Sequence, residues 1–458
     1  MKRRCIFRMI PLAVAGIGAM VKNATSAEVQ MCPECSGQGE TLSMTYPKRI
    51  IEMLNWVRAH QSENILEGAY AIASAVEEKR QIWSCWDLGH TNSSDLFPNR
   101  CGKPSFLVPG YDFKKVNNGD LVLANFPWPA GYVEDLAKRD LFVIGGPCPW
   151  GGDIPRHDLI KENIAKNKIR PFADIWIETN VDHIGAQVPI PGSPAPLGPE
   201  SGPLNGTILW MMVADACRIL ARKGIKVSVE GNEPLLKGSN VPWINLNEPI
   251  MDEYFDTVIH QLEMIQTELG DIRKMAYMAV DTLLDGGNVY FYSRYYDSLA
   301  GEAVGRRGGF VFARGLSDGA IKGTSKDCVI MGTYEPDDEA DLRNLDEIKK
   351  LGMRVASIGP MTRDRRIPKD RAVFKETEVH AGRMMDTYGL YAVPGVERKV
   401  CPTSGSLATS ILWVMCAELA VEIIRRTGNT PAINFNGALK WSDEPNGQMG
   451  DIVRTRGY

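Results

Sequence analysis

Apolar positions recur at helical spacing in four long stretches, 48–78, 250–284, about 205–224 and about 408–427. In the third, Ile208, Leu209, Met212, Val213, Ala216, Ile219 and Leu220 repeat with helical periodicity, which predicts a core helix rather than a cofactor-binding segment. Short apolar runs bounded by Gly, Asp and Asn lie between the helical stretches. They are 81–86, 121–126, 141–145 and 174–178, then 289–292, 328–333, 355–358 and 373–376. Strands of that length alternating with helices predict βαβ units, with a parallel sheet covered by helices.

The two halves repeat one another. Residues 199–224 and 402–427 share ten identities in 26 positions at an offset of 203, including Ile208-Leu209-Trp210 against Ile411-Leu412-Trp413. Lys237 pairs with Lys440 at the same offset, and 88–93 falls on 293–298 at an offset of 205. A period near 200 residues is far too long for a solenoid and predicts a duplicated domain. The expected division is residues 46–240 and 248–445, with a linker at 28–45 and a C-terminal tail at 446–458.

Composition narrows the class. With 458 residues, 44% hydrophobic and 24% charged, the chain is globular and neither disordered nor collagen-like. Net charge is −4; residues 1–27 carry five basic residues and no acid, so without them it is −9. Such a chain is a poor partner for nucleic acid, whose binding needs Lys and Arg against phosphates. The same 27 residues read as a signal peptide, with basic residues before an apolar run from Met9 to Met20 and a small-residue cleavage site ending at Ala27. Arg3-Arg4-Cys5-Ile6-Phe7-Arg8 resembles the twin-arginine pattern, so the expectation is export to a periplasmic or extracellular location. No later segment has 18 uninterrupted apolar residues, so no membrane span is expected after signal removal.

Ten cysteines allow several roles. Cys32-Pro-Glu-Cys35 suits a local disulfide first, then no function, then a metal site, since no second CxxC completes a zinc set. Cys217, Cys328 and Cys416 sit in apolar runs and are expected in the core, whereas Cys85, Cys101 and Cys148 are free to pair in an oxidising compartment.

The order of turns resembles the sugar isomerase (SIS) family, in particular the stand-alone proteins related to phosphoheptose isomerase. The residues carrying the likeness are Trp86-Asp87-Leu88-Gly89-His90-Thr91-Asn92, Gly119-Asp120-Leu121-Val122-Leu123-Ala124-Asn125, Ala173-Asp174-Ile175-Trp176-Ile177-Glu178 and Gly198-Pro199-Glu200-Ser201. The second half repeats the order in Gly286-Gly287-Asn288-Val289-Tyr290-Phe291-Tyr292-Ser293-Arg294, in Glu302 through Gly309, and in Pro402-Thr403-Ser404. The resemblance covers roughly 46–445. It implies two flavodoxin-like three-layer αβα sandwiches packed as an internal pseudo-dimer, with higher oligomers open. It also implies a small carbohydrate or carbohydrate-derivative ligand, no cofactor and no metal. An enzyme of this kind interconverts aldose and ketose by Glu/His acid–base chemistry. The alternative is a non-catalytic sugar-binding or regulatory protein on the same scaffold.

Candidate catalytic residues are His90, Glu178 and His183, with Glu376 and His380 as their second-half counterparts, because Glu-Thr-x-Val followed by His occurs in both places. Candidate ligand-binding residues are Asp87, Thr91, Asn92, Ser93, Asn125, Glu200 and Ser201 in the first half. In the second they are Ser293, Arg294, Ser298, Thr333, Thr403 and Ser404. Glu200 and Thr403 differ, so at most one half is expected to be chemically competent, and Ser201 and Ser404 read as helix N-caps rather than nucleophiles. The family's Ser-rich phosphate turn is replaced by Asn125-Phe126-Pro127-Trp128-Pro129, which has neither serine nor threonine and loses N–H donors at its prolines, and by Thr333-Tyr334-Glu335-Pro336-Asp337-Asp338, which is acidic. A neutral polyhydroxylated ligand is therefore expected in preference to a sugar phosphate.

Overall fold

The computed structural model describes residues 41–86, 94–97, 100–125, 131–147, 167–180, 185–231, 243–294, 299–363, 365–387, 389–435 and 443–458. The signal-peptide and Cys32/Cys35 readings fall outside them. The first half runs α1 (Thr45–Glu77), β1 (Ile82–Cys85), β2 (Leu107–Pro109), β3 (Leu121–Ala124), α2 (Tyr132–Lys138), β4 (Phe142–Gly145), β5 (Ile175–Trp176) and α3 (Ser201–Arg222). The second opens with α4 (Met251–Met264), a 3₁₀ turn (Ile265–Glu268) and α5 (Leu269–Leu284). It continues with β6 (Val289–Ser293), α6 (Leu299–Ala303), β7 (Arg314–Leu316), β8 (Cys328–Gly332), α7 (Glu339–Lys350), β9 (Arg354–Ile358), β10 (Thr362–Arg363), α8 (Val373–Glu376), β11 (Val379–Ala381) and β12 (Asp386–Thr387). It closes with α9 (Ser404–Thr427) and α10 (Asp443–Arg456).

Each half holds a five-stranded, all-parallel sheet. The orders are β2-β1-β3-β4-β5 and β7-β6-β8-β9-β11, which is the same 2-1-3-4-5 winding twice, the flavodoxin-like order. The central strands β3, β6 and β8 are buried throughout, as sheets covered on both faces require. β10 and β12 form a separate parallel pair.

The halves meet along α3 and α9, with α1 packed on α3 and α5 on α9. Both central helices are apolar nearly all round and almost wholly buried. By length and composition each could cross a membrane, yet 94% and 89% of their apolar windows are buried inside the protein. Their few acids are satisfied. Asp215 takes Arg218 at 2.6 Å and the N–H of Met251 at 2.8 Å, and Glu418, its counterpart at offset 203, takes Arg273 at 3.0 Å.

The duplication extends to single hydrogen bonds. Tyr46 donates its hydroxyl to the Pro199 carbonyl and Tyr254 to that of Pro402, both at 2.8 Å. Two backbone bonds cross between the halves symmetrically: Gly198 N–H to Gly308 O at 2.9 Å and Cys401 N–H to Gly102 O at 3.0 Å.

One expectation is corrected. Residues 373–376 form the short helix α8, because Lys375 Nζ reaches the carbonyls of Pro368, Lys369 and Asp370 and Arg371 grips Glu376, closing a turn; the strand follows at Val379. The edge strands β2 and β7 have three residues each, too few to show a period. Most of the expected tail is the helix α10. Cys217, Cys328 and Cys416 are core residues, and all six described cysteines are free thiols, Cys85 and Cys101 included.

Candidate functional site between the halves

In a doubly wound sheet, ligands sit beyond the carboxyl ends of the strands, where helix N-termini converge. In this chain the N-termini of α3 and α9 lie there, at the junction of the halves. Asp87, His90, Thr91, Asn92, Ser93, His183 and Ser298 lie outside the described residues. The remaining candidates fall into two groups.

The first group surrounds α3 and α9. Arg100, from the first half, donates through Nη2 to the Ser404 hydroxyl on α9 at 2.7 Å, through Nη1 to the Cys101 carbonyl at 2.9 Å, and through Nε to Asp95 at 3.0 Å. Trp210 Nε1 on α3 donates to the other Asp95 oxygen at 3.2 Å. The second half repeats the arrangement in its main contacts. Arg306, from the second half, donates through Nη2 to the Ser201 hydroxyl on α3 at 2.7 Å, its Nε lies 3.3 Å from Glu302, and Trp413 Nε1 donates to Glu302 at 3.1 Å. Each half therefore supplies the arginine that reaches the first serine of the other half's long helix.

These groups are buried: Asp95 and Glu302 show no exposed surface, and Arg100 and Arg306 show 8% and 7%. Burial raises the Asp95 carboxyl, against the opposing pull of Arg100 and Trp210. A guanidinium at a helix N-terminus opposes the helix dipole, so the carboxylate on its far side is what makes the placement tolerable.

Ser201 and Ser404 are thus not N-caps. They occupy the first helical position, and their hydroxyls accept from arginines; neither helix has a side-chain cap. Glu200 and Thr403 stand just ahead of them, both buried, with Gln187 donating to Glu200 at 3.2 Å. Glu200 and Glu302 both raise the nearby Tyr46 hydroxyl, after burial, which is the main cause.

Tyr334 and Glu335, in the turn after β8, extend the second-half site. The Arg100 guanidinium lies over the Tyr334 ring, 4.6 Å from its centroid, and the Cys101 thiol faces Glu335 at 3.6 Å. Thr333 is buried, with its N–H on the Ile358 carbonyl at 3.0 Å. Ser293, at the end of β6, accepts from the Ala300 N–H at 3.1 Å and so holds the start of α6. Arg294 pairs with Asp338. In the first half, Asn125 is buried after β3 and Glu178 stands after β5, bonded by Trp176 Nε1 at 3.2 Å.

Glu376 and His380 form the second group, and Glu376 does not occupy the place that Glu178 has in the first half. Glu178 follows its strand, whereas Glu376 precedes β11 and lies at the amino end of the sheet. There Arg371 and Lys349 hold it, and Arg371 first of all lowers its carboxyl. His380 is inside edge strand β11, its Nδ1 2.9 Å from Ser357 Oγ, in a groove of about 240 Å³ shared with Asp271, Lys274, Phe374 and Arg383. Burial, then Arg383, brings its imidazole down to about 4, so it is neutral at neutral pH. Among the described residues, no three His, Cys, Asp or Glu side chains are arranged to hold a metal ion.

Sequence reading missed Asp95, Arg100, Glu302 and Arg306 as a set. The tryptophans were visible at one offset, but Asp95 and Arg100 are five apart while Glu302 and Arg306 are four apart. That one-residue slip hides the correspondence.

No family model matches the chain, and no curated protein does. Among solved structures it is similar to the C-terminal domain of glucosamine-fructose-6-phosphate aminotransferase from Francisella tularensis, at 12% identity and a TM-score of 0.45, over 83% of this chain and 94% of that one. It is also similar to glucosamine-6-phosphate deaminase from Thermotoga maritima, at 12% identity and a TM-score of 0.37, over 79% of this chain and 93% of that one.

Proposed function

We propose that the chain is a tandem SIS-type protein that binds a carbohydrate derivative in the two sites between its halves. The observation that carries this reading is the repeated carboxylate–arginine–serine network at the N-termini of α3 and α9. Hydroxyl-rich ligands need many fixed donors and acceptors in a site that water does not fill, and this network supplies both kinds from buried, mutually oriented groups. Tyr334 adds an aromatic edge on the second-half side.

In the finer reading the protein is a sugar isomerase. A carboxylate removes the proton from one carbon and returns it to the neighbouring carbon, while an imidazole assists ring opening. The first half is where that chemistry belongs, with Glu178, His90 and His183 as the candidates. The second half favours binding without catalysis, because Glu376 is engaged at the amino end of its sheet and His380 lies in the lateral groove.

A thermal-shift panel of neutral sugars, polyols and sugar phosphates finds the ligand. Proton NMR in deuterium oxide then separates the readings: an isomerase exchanges the hydrogen next to the carbonyl carbon, and a binding protein does not. Absence of a shift with every sugar on the panel would refute the carbohydrate reading.

A further inference from the structure

The turn after β8 leads into α7, a twelve-residue helix whose N-terminus faces the ligand side of the second sheet. Such a terminus attracts an anion. Here the chain supplies its own. Asp338 is the N-cap residue, and its carboxylate accepts the N–H groups of Ala340 and Asp341, both at 2.9 Å. Both N–H groups go to Oδ1, and Arg294, just after β6, places Nη1 2.8 Å from that oxygen and 2.8 Å from Oδ2. Both features that would hold a phosphate are therefore already engaged by one side chain.

The surroundings add to this. Glu335 and Asp337 share Arg363, at 2.8 and 2.9 Å. Asp341, in the first turn of α7, is only 3% exposed and its Oδ1 has no hydrogen-bond partner. Burial drives the Asp341 carboxyl up to about 8, with Asp338, Glu335 and Asp318 adding to the rise against Arg294. The carboxylates of Asp338, Glu335 and Asp337 lie together around this terminus, and a dianion brought there would meet their repulsion.

We infer that Asp338 is a specificity-determining residue: by filling the anion cradle of α7 and occupying Arg294, it restricts the second-half site to ligands without a phosphate group. The inference rests on the carbohydrate-binding reading for the nature of the ligand, but its test does not.

Asp338→Ser and Asp338→Asn both retain a capping side chain while removing the charge. Calorimetry of the full chain with inorganic phosphate and with glucose 6-phosphate reads the result. Either variant, once circular dichroism shows it folded, binds inorganic phosphate at least about tenfold more tightly than the parent, the scale of one charge contact near a protein surface. Adding Arg294→Met abolishes the gain. Equal phosphate binding by parent and variants, or folded variants with no gain, overturns the inference. A neutral-sugar titration of the parent chain reports on the carbohydrate reading separately, so the two can fail independently.

Discussion

Changing Arg100 to Met tests whether the inter-half network is as buried and as coupled as its geometry implies. The substitution keeps an apolar stem of similar length but removes the bonds to Asp95 at 3.0 Å, to Ser404 at 2.7 Å and to the Cys101 carbonyl at 2.9 Å, together with the stack on Tyr334. Asp95, with no exposed surface, is left with the Trp210 N–H. Removing one partner of a buried ion pair costs about 3–5 kcal/mol, because the remaining charge has lost its counter-ion without regaining water. Against a typical total of about 5–15 kcal/mol that is a large fraction. Urea unfolding should show a lower midpoint at unchanged slope. Replacing both members, Asp95→Leu with Arg100→Met, should recover most of the loss, so the coupling in the double-mutant cycle exceeds the loss of either single variant and approaches their sum. The sign of the pH dependence is fixed. The Asp95 carboxyl is already raised by burial, so the folded state holds its proton more tightly than the unfolded state does. Without Arg100 it rises further. Protonation then relieves the stranded charge, so the cost of Arg100→Met is smaller at about pH 5 than at about pH 8. A single-variant loss under about 1 kcal/mol, or a double variant as unstable as the sum of the singles, would refute the reasoning.

Four further outcomes are expected. The folded Asp341 carboxyl, at about 8, lies above its unfolded value, so its contribution is full at low pH and lost as pH rises toward 8; Asp341→Asn should flatten that part of a stability–pH curve. Gly102→Ala should lower the melting temperature by several degrees, since φ is +82° and a Cβ would lie 3.0 Å from the Gly389 backbone; an unchanged melting temperature would mean that the halves do not approach there. Glu376→Gln should leave sugar binding unaltered, because Glu376 is held by Arg371 and Lys349 at the far end of the sheet; loss of binding by calorimetry would restore it to the site. We also propose export, in which case N-terminal sequencing of the native protein begins at Glu28, and an intact Met1 in a cytosolic fraction contradicts it.

Much of the fold was legible because its signals are local and repeated. The long helices announce themselves by periodicity, and the ten identities between 199–224 and 402–427 mark the duplication before any contact is known. The fully buried strands β3, β6 and β8 lie where short apolar runs sit between turn residues. The edges were not legible, since three residues at Leu107 or Arg314 carry no period, and the turn at 373–376 is closed by lysine and arginine contacts that pattern does not encode. The site was only half legible. Ser201 and Ser404 stood out by their position ahead of the long helices, but their partners come from the opposite half of the chain. Arg306 lies 105 residues from Ser201 and Arg100 lies 304 from Ser404, so only the packing of α3 against α9 reveals the exchange. Conversely, Glu178 and Glu376 open similar letters without sharing a place, because β11 begins after Glu376 whereas β5 ends before Glu178.

The central claim is that a carbohydrate derivative binds between the halves, at serines reached by arginines from across the junction. Calorimetry of the full chain with the sugar that gives the largest thermal shift, repeated on Ser404→Ala and Ser201→Ala, tests it most directly. The account predicts that at least one of the two weakens binding about tenfold or more, the scale of a lost hydrogen bond to a charged group, while both remain folded. Undiminished affinity in both folded variants would contradict it.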